Sequence, residues 1–332
     1  MNDVYKGIND LESIFSFTQC KTSSDGMFKV GKNVEKIFIS DDRKEEYIFF
    51  SNGRILVSII SNICPATYYE FFPSKIQTPI KAVLMDLDGT SVMSEKFWIE
   101  LIRLTVSTAL KNKEFLFYDE DLPFISGNSV SEHLIYCKNK FKLKEDLNDL
   151  IVIYYNYFES FLNMKNDDCI KQFFHPRDNL KSFLLSLKKN NIKVGLVTSG
   201  TIEKAMFEIE VAFKIMGFKE TPDSFYDCII TAGNSVNKNI CGTLGELVAK
   251  PHPWLYRETA FVGLGIDFSE RNQVVCIEDS AAGVMSSRLA GFPTIGIAGG
   301  NIKRSGCEKF CQYFVEDLME LFGILNIKNG GE

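Results

Sequence analysis

Two carboxylates separated by one residue stand in the segment Asp86-Leu87-Asp88-Gly89-Thr90, directly after an apolar run. Such a run is typical of a strand buried on both faces of a parallel sheet, and ligands bind beyond the carboxyl ends of such strands. If the chain turns at Gly89, both carboxylates reach one site and could serve as nucleophile, general acid and base, or metal ligands. A solvated acidic turn is the alternative interpretation, and odds of roughly 10⁻⁵ per starting position for a chance match disfavour it.

A hydroxyl-rich turn and a stiff lysine loop come later in the chain. Thr198-Ser199-Gly200 follows a second apolar run, and its hydroxyls and backbone N–H groups could hold phosphate oxygens. Lys250 precedes a proline, which favours extended backbone and makes its ammonium a fixed positive charge. Taken alone, a segment such as Thr198-Ser199-Gly200 is more often an ordinary turn. Taken alone, a lysine such as Lys250 is more often an ordinary surface residue.

A second acidic pair, Glu278 and Asp279, ends a third apolar run. Two carboxylates at the end of a buried strand need a partner, which is either a cation or the N-terminus of the next helix. The order along the chain is a carboxylate pair, a hydroxyl, a lysine and a second carboxylate pair. Phosphoryl transfer assisted by Mg²⁺ requires these groups as nucleophile, oxygen clamp, charge neutraliser and metal ligands.

Strands that alternate with helices predict a doubly wound α/β domain around these residues. The predicted core strands are 82–85, 192–197, 274–277 and 294–297, and the predicted core helices are 178–190 and 280–290. Helical patterns at 95–111, 131–140 and 143–164 contain no convincing strand, which indicates an all-helical insert after the first core strand.

The N-terminal part has a different character. Its short β-branched and aromatic runs predict strands, with a hairpin at Asn52-Gly53 and a linker at 64–80, where three prolines stand. The sequence therefore predicts a β-rich N-terminal appendage and linker at 1–78 that the chemistry does not need. The α/β core is predicted at 79–93 and 175–332, with a helical cap at 94–174.

The motifs resemble those of the haloacid dehalogenase superfamily of phosphohydrolases, over about residues 80–315. The matching segments are Asp86-Leu87-Asp88-Gly89-Thr90, Thr198, Lys250-Pro251-His252-Pro253 with Tyr256, and Glu278-Asp279-Ser280 with Gly283. The helical insert is similar to the C1 cap of the β-phosphoglucomutase and phosphoglycolate phosphatase branch. The resemblance implies a Rossmann-like core.

The resemblance also implies a Mg²⁺-dependent phosphatase that hydrolyses a small phosphorylated metabolite through an aspartyl phosphate. Asp86 would be the nucleophile, and Asp88 would protonate the leaving oxygen and then deprotonate the hydrolytic water. Thr198 would hold phosphoryl oxygens, and Lys250 would neutralise the nucleophile and the transferring group.

The same resemblance implies the ligands of the metal and of the substrate. Mg²⁺ would be bound by Asp86, the Asp88 carbonyl and Asp279, with Glu278 acting through water. The implied phosphate- and substrate-binding residues are Leu87, Ser199, Gly200, Asn128, Ser129 and His133.

Two other functions compete with hydrolysis. A mutase of this branch places an arginine after a Gly-x-Ser cap loop and a histidine early in the first cap helix; this chain has Val130 and Trp98 there. Valine cannot form a bidentate contact with phosphate, and an indole cannot accept a proton, so hydrolysis is predicted. A non-catalytic binding protein is disfavoured because a scaffold has no need of the complete set of chemical groups.

Composition limits the partners and the compartment. The net charge is −6 and no block rich in Lys or Arg occurs, which disfavours nucleic acid and anionic membranes as partners. The nine cysteines form no C-x-x-C pair and indicate free thiols in a reducing compartment. The N-terminus lacks the pattern of a signal peptide. We therefore expect a cytoplasmic protein, and the sequence leaves its oligomeric state open.

Overall fold

The computed structural model describes residues 17–40, 44–60, 67–125, 127, 129–163, 167–233 and 248–328. Within these ranges the strands form two sheets, one antiparallel and one parallel. No helix in the described part of the chain is both long and apolar enough to cross a membrane.

The N-terminal sheet is an antiparallel meander of five strands. Its strands are β1 (Phe17–Cys20), β2 (Val34–Ser40), β3 (Glu45–Phe50), β4 (Ile55–Ile59) and β5 (Thr67–Glu70), in the spatial order β1-β2-β3-β4-β5. The predicted hairpin is confirmed, because β3 and β4 pair and Gly53 has a φ of +82°. The linker interpretation of 64–80 is wrong for β5, where Tyr69 pairs with Val57.

The parallel sheet has six strands and confirms the predicted α/β class. They are β6 (Ala82–Asp86), β7 (Lys193–Thr201), β8 (Cys228–Gly233), β9 (Val274–Glu278), β10 (Thr294–Ile297) and β11 (Tyr313–Val315), in the order β11-β10-β9-β6-β7-β8. All five residues of β6 are buried, as are those of β9. Burial on both faces explains why their sequences are continuous apolar runs rather than alternating patterns.

Helices cover both faces of the parallel sheet and form the insert. They are α1 (Glu95–Leu110), α2 (Val130–Phe141), α3 (Leu147–Asn163), α4 (Asp167–Phe173), α5 (Leu180–Lys189), α6 (Ile202–Met216), α7 (Pro222–Phe225), α8 (Trp254–Arg257), α9 (Ala281–Ala290), α10 (Ile302–Ser305) and α11 (Glu320–Leu325). Val83 shares a buried cluster with residues of α5 and α6, whereas Leu84 shares one with residues of α8. Successive side chains of β6 therefore enter different layers, as a doubly wound fold requires.

The strand order creates a crevice at the centre of the parallel sheet. From β6 the chain runs outward through β7 and β8 on one side, and later through β9, β10 and β11 on the other. Asp86 is the last residue of β6, and Glu278 is the last residue of β9. The connections leaving these two neighbouring strands diverge, which is the position where open α/β sheets bind ligands.

The four insert helices, α1 to α4, lie between β6 and β7 in the chain. Aromatic rings join them, since Phe97 of α1 lies with its centroid 4.4 Å from that of Phe161 of α3. The rings of Trp98 and Tyr154 stack with their centroids 6.5 Å apart. These rings belong to the same buried apolar cluster as Val83 and Met85 of β6, so the insert packs continuously onto the core.

The N-terminal sheet is joined to the core by a shared apolar cluster. Tyr47 and Phe71 from the sheet are buried together with Met285 of α9 and with Phe310. The rings of Tyr47 and Phe310 stack with centroids 6.5 Å apart. Burial of apolar surface on both sides means that the sheet and α9 stabilise each other.

Candidate active site

The turn after β6 brings the first two carboxylates to one cavity. Two backbone amides of the turn donate to the Leu87 carbonyl at 2.9 Å, and Gly89 has a φ of +77°. A Cβ atom on Gly89 would lie 2.1 Å from Asp279 Oδ2, so only glycine fits at this position. Asp86 and Asp88 both line the resulting cavity, as the sequence predicted for a turn at this glycine.

Lys250 bridges the carboxyl ends of the two central strands. Its Nζ donates to Asp86 Oδ1 at 2.5 Å and to Glu278 Oε1 at 2.6 Å, and its side chain is 2% exposed. The Tyr256 hydroxyl donates to the same Glu278 oxygen. Burial alone would lower the pKa of Lys250, but the two carboxylates outweigh burial and raise this pKa above its ordinary value.

Three buried carboxylates form a cluster with the chemistry of a divalent-cation site. Oxygens of Asp86, Glu278 and Asp279 all lie within 4.8 Å of one another. Asp279 Oδ2 is buried and has no hydrogen-bond partner among the residues that the structure describes. Burial, followed by the charge of Glu278, raises the pKa of Asp86 to about 8 despite Lys250. Burial, followed by Glu95, also raises the pKa of Asp279. A second positive charge would offset this repulsion, and an oxygen-only donor set fits Mg²⁺.

The Asp88 carboxylate lies between Ser94, at the start of the insert, and a lysine of the core helix α6. Its Oδ1 accepts from Ser94 Oγ and from Lys204 Nζ, each at 3.0 Å, and its Oδ2 lies 3.4 Å from Thr198 Oγ1. Ser94 precedes α1, so this contact ties Asp88 to the start of the insert. Burial opposes the ionised form of Asp88, but Lys204 and Ser94 outweigh it and lower its pKa.

Lys204 and Glu208 belong to the site, and sequence reasoning missed both. They stand one turn apart on α6, with Lys204 Nζ 3.6 Å from Glu208 Oε1 and 4.2 Å from the ring centroid of Trp98. Burial, followed by the charge of Asp88, raises the pKa of Glu208 well above its ordinary value, which favours the uncharged form of this carboxyl. An ion-pair spacing on the helix after the Thr198 segment is the signal that could have found them.

Arg177 is a further residue that the sequence did not single out. Its guanidinium donates to the carbonyls of Thr90 at 2.9 Å and of Ala298 at 2.8 Å, and also to the Gly89 carbonyl. Arg177 therefore links the turn after β6 to the loop after β10.

The turn after β7 lies against the lysine loop. Gly200 N donates to Thr198 Oγ1 at 3.0 Å, and Lys250 N donates to Ser199 Oγ at 3.2 Å. Thr198, Ser199 and Gly200 all line the cavity. The structure therefore brings the predicted oxygen clamp, the lysine and the nucleophile candidate together.

Residues of the insert line part of this cavity, whose volume is about 60 Å³. A Cβ atom on Gly127 would lie 2.8 Å from Ser280 Cβ, so the cap loop touches the start of the α9 segment. The lining side chains from the insert include Trp98, Ile99, Ile125, Val130 and His133.

The predicted cap and turn contacts are met only in part. His133 lines the cavity and is 6% exposed, but Ser129 does not line it, because its hydroxyl accepts from Glu132 N at 3.3 Å and caps α2. The Leu87 side chain is fully buried in the core, so only its backbone could face a phosphate. Asn128 lies outside the described residues.

The sheet order, the insert and the carboxylate-lysine cluster define a class of hydrolase. The chain belongs to the haloacid dehalogenase-like hydrolase family, whose sequence pattern matches residues 80–291. No curated protein sequence matches the chain significantly.

Solved structures share the fold at low sequence identity. CbbY from Rhodobacter sphaeroides in complex with phosphate is 18% identical, with a TM-score of 0.55, over 73% of this chain and 96% of that chain. β-Phosphoglucomutase from Clostridium difficile is 20% identical, with a TM-score of 0.53, over 74% and 96%. A predicted phosphoglycolate phosphatase from Haemophilus somnus is 17% identical, with a TM-score of 0.52, over 75% and 99%. At identities this low, the structural similarity establishes the fold alone. The chemistry must therefore be argued from the site.

Proposed function

We propose that the protein is a Mg²⁺-dependent phosphatase that hydrolyses a small phosphorylated metabolite. The observation that carries this proposal is the buried ammonium of Lys250, 2.5 Å from Asp86 Oδ1 in a cluster of three carboxylates. A nucleophilic carboxylate held beside a fixed cation and an oxygen-rich metal site is the set of groups that phosphoryl transfer uses.

The first half of the reaction transfers the phosphoryl group to the protein. An Asp86 oxygen attacks phosphorus and forms an aspartyl phosphate, while the bond from phosphorus to the leaving oxygen breaks. Thr198 Oγ1 and the Ser199 amide hold the phosphoryl oxygens, and Lys250 offsets their charge. Asp88 protonates the leaving oxygen, and the phosphate dianion bound beside Asp88 favours the protonated form that this step needs.

The second half releases phosphate. Asp88, now ionised and paired with Lys204, takes a proton from a water molecule that attacks phosphorus, and the bond to Asp86 breaks. Mg²⁺ would neutralise charge on the phosphoryl oxygens. Its ligands would be Asp86, the Asp88 carbonyl and Asp279, with Glu278 acting through water.

Water rather than a second sugar hydroxyl is the acceptor in this proposal. Val130 and Trp98, which stand where the related mutases are expected to have an arginine and a histidine, both line the cavity. Neither can bind a second phosphate bidentately or accept a proton from a hydroxyl. When β-glucose 1-phosphate and a bisphosphate activator are supplied, inorganic phosphate should form faster than glucose 6-phosphate. The reverse order of rates would favour a mutase.

The experiment that tests the function is a screen of phosphate monoesters with the full chain, with and without Mg²⁺. We expect release of inorganic phosphate from at least one small monoester in the presence of Mg²⁺. A protein with intact metal binding that hydrolyses none of a broad panel would contradict the proposal and favour a binding role for the same scaffold.

The proposal includes a cytoplasmic location and no nucleic-acid or membrane partner. Six cysteines in the described part of the chain are free thiols, which suits a reducing compartment. Fractionation of the source cells would test the location.

A further inference from the structure

The loop that carries Lys250 is held at His252, two residues further along the chain. The His252 ring is buried, and its Nδ1 lies 2.7 Å from the Tyr69 hydroxyl. The His252 carbonyl accepts from Ser286 Oγ at 2.5 Å. The ring and the backbone of one residue are therefore fixed by two different elements.

Tyr69 belongs to the N-terminal sheet and not to the family core. It lies on β5, is 5% exposed, and has its ring centroid 5.8 Å from those of both His252 and Trp254. Its backbone is paired with Val57 on β4. The hydroxyl is thus presented by a paired strand rather than by a loop.

The sheet that presents Tyr69 is itself anchored to the element that holds the His252 carbonyl. Ser286 lies on α9, and the same helix contributes Met285 to the apolar cluster shared with Tyr47 and Phe71 of the sheet region. The sheet, α9 and the lysine loop therefore form one packed unit, in which a shift of Tyr69 requires repacking.

Only Pro251 separates His252 from Lys250. At Lys250 the backbone N–H donates to Ser199 Oγ at 3.2 Å, and Nζ reaches Asp86 and Glu278. Three elements therefore hold the loop, namely the turn after β7, helix α9 and the N-terminal sheet. Of these, the N-terminal sheet lies outside the residues that match the family.

We propose that the N-terminal sheet is part of the catalytic scaffold, because the Tyr69 hydroxyl fixes His252 and thereby orients Lys250 toward Asp86. The proposal rests on the proposed function for its kinetic consequence. It replaces the expectation that residues 1–78 are not needed for the chemistry. Tyr69 is a positioning residue, since it acts through His252.

The test compares Tyr69→Phe with Tyr68→Phe in the full chain. Each change removes one hydroxyl from β5, but the Tyr68 hydroxyl donates at 2.7 Å to Asp25, in the connection between β1 and β2. We expect Tyr69→Phe to lower kcat about tenfold, the effect of one lost hydrogen bond that orients a catalytic charge, with KM changed less than about twofold. Tyr68→Phe should leave both kinetic constants within about twofold of wild type.

A pair of His252 variants tests whether a polar atom near the position of Nδ1 is what matters. His252→Asn keeps a polar atom near the position of Nδ1, whereas His252→Gln moves its polar atoms further from the chain. We expect the Asn variant to retain more kcat than the Gln variant. Equal losses in the two would argue that His252 matters only for packing. If Tyr69→Phe fails to fold, these two variants still test whether His252 positions Lys250.

A crystal structure of Tyr69→Phe separates this proposal from the proposed function. We expect Lys250 Nζ to move out of hydrogen-bond distance of Asp86. If Nζ stays bonded to both carboxylates, or if kcat stays at the wild-type value, the positioning role is overturned. If the wild-type protein hydrolyses no monoester, the proposed function fails, and the position of Lys250 alone decides the role of Tyr69.

Discussion

Replacing Lys204 with methionine isolates the charge that faces Asp88. Methionine keeps an unbranched stem of similar length against Trp98, but it removes the ammonium that lies 3.0 Å from Asp88 Oδ1. The Asp88 carboxylate then keeps the Ser94 hydroxyl, 3.0 Å away, as a donor. We expect the ionised form of Asp88 to lose most of its local stabilisation.

The size of this loss follows from the burial of the pair. The Lys204 and Asp88 side chains are 15% and 25% exposed, and removing one partner of a fully buried pair costs about 3–5 kcal/mol. Partial exposure and the Ser94 donor reduce that figure to about 2 kcal/mol, and a loss of this kind raises the pKa of Asp88 in the variant.

The sign of the effect can be read from the direction of the pKa shift. Lys204 helps to hold the pKa of Asp88 below its ordinary value, so the wild-type carboxylate persists to low pH and its stabilisation of the fold is lost only as pH falls. Without Lys204 the pKa of Asp88 rises. The acid limb of the kcat profile should therefore move to higher pH, because water activation needs the ionised form.

The assay is kcat against pH for the wild type, Lys204→Met and Lys214→Met. Lys214 is an exposed residue of the same helix, so its variant controls for helix propensity and for net charge. Thermal unfolding near neutral pH should show a loss of about 3 °C for Lys204→Met, because about 2 kcal/mol is divided by the unfolding entropy of 332 residues. An acid limb that does not move in Lys204→Met, or that moves equally in Lys214→Met, would refute the role assigned to the pair.

Three further predictions concern the carboxylates and the metal. Asp86→Asn should abolish turnover, since no second nucleophile stands at that position, whereas Asp88→Ala should lose roughly 10² to 10⁴ in kcat, as measured by phosphate release. An active Asp86→Asn protein would show that another group attacks phosphorus. EDTA should abolish hydrolysis and added Mg²⁺ restore it, and full activity in metal-free buffer would contradict the metal site. Gly283→Ala would place a Cβ 1.9 Å from Glu278 Oε2, so Glu278 must leave Lys250 and kcat should fall about tenfold. An unchanged rate would mean that Glu278 can move without consequence.

The parts of the fold that the sequence revealed are those where burial leaves a local pattern. The strand β6 is buried on both faces, so its apolar run could be recognised and Asp86 placed at its end. The strands β8 and β11 were not predicted, because β11 has only three residues and β8 adjoins a segment without a clear pattern. The region that became β5 looked like a linker because prolines flank it closely.

The parts of the candidate site that the sequence did not reveal depend on contacts between distant segments. Lys204 is 116 residues from Asp88, and Tyr69 is 183 residues from His252. No local sequence pattern around Lys204 or Tyr69 indicates which distant residue will be its partner. Ser129 shows the converse, since its hydroxyl accepts a hydrogen bond from the backbone of Glu132 in the helix that begins beside it, a contact that the local sequence does indicate.

The contact between Gly127 and Ser280 has a consequence for the timing of the reaction. A cavity of about 60 Å³ is far smaller than the roughly 300–1,000 Å³ of ordinary ligand pockets. We therefore expect the cap loop to move away from Ser280 when a phosphate monoester binds and again when phosphate departs. Such a movement in every turnover would make cap opening a candidate for the step that sets kcat, beside the chemistry at phosphorus.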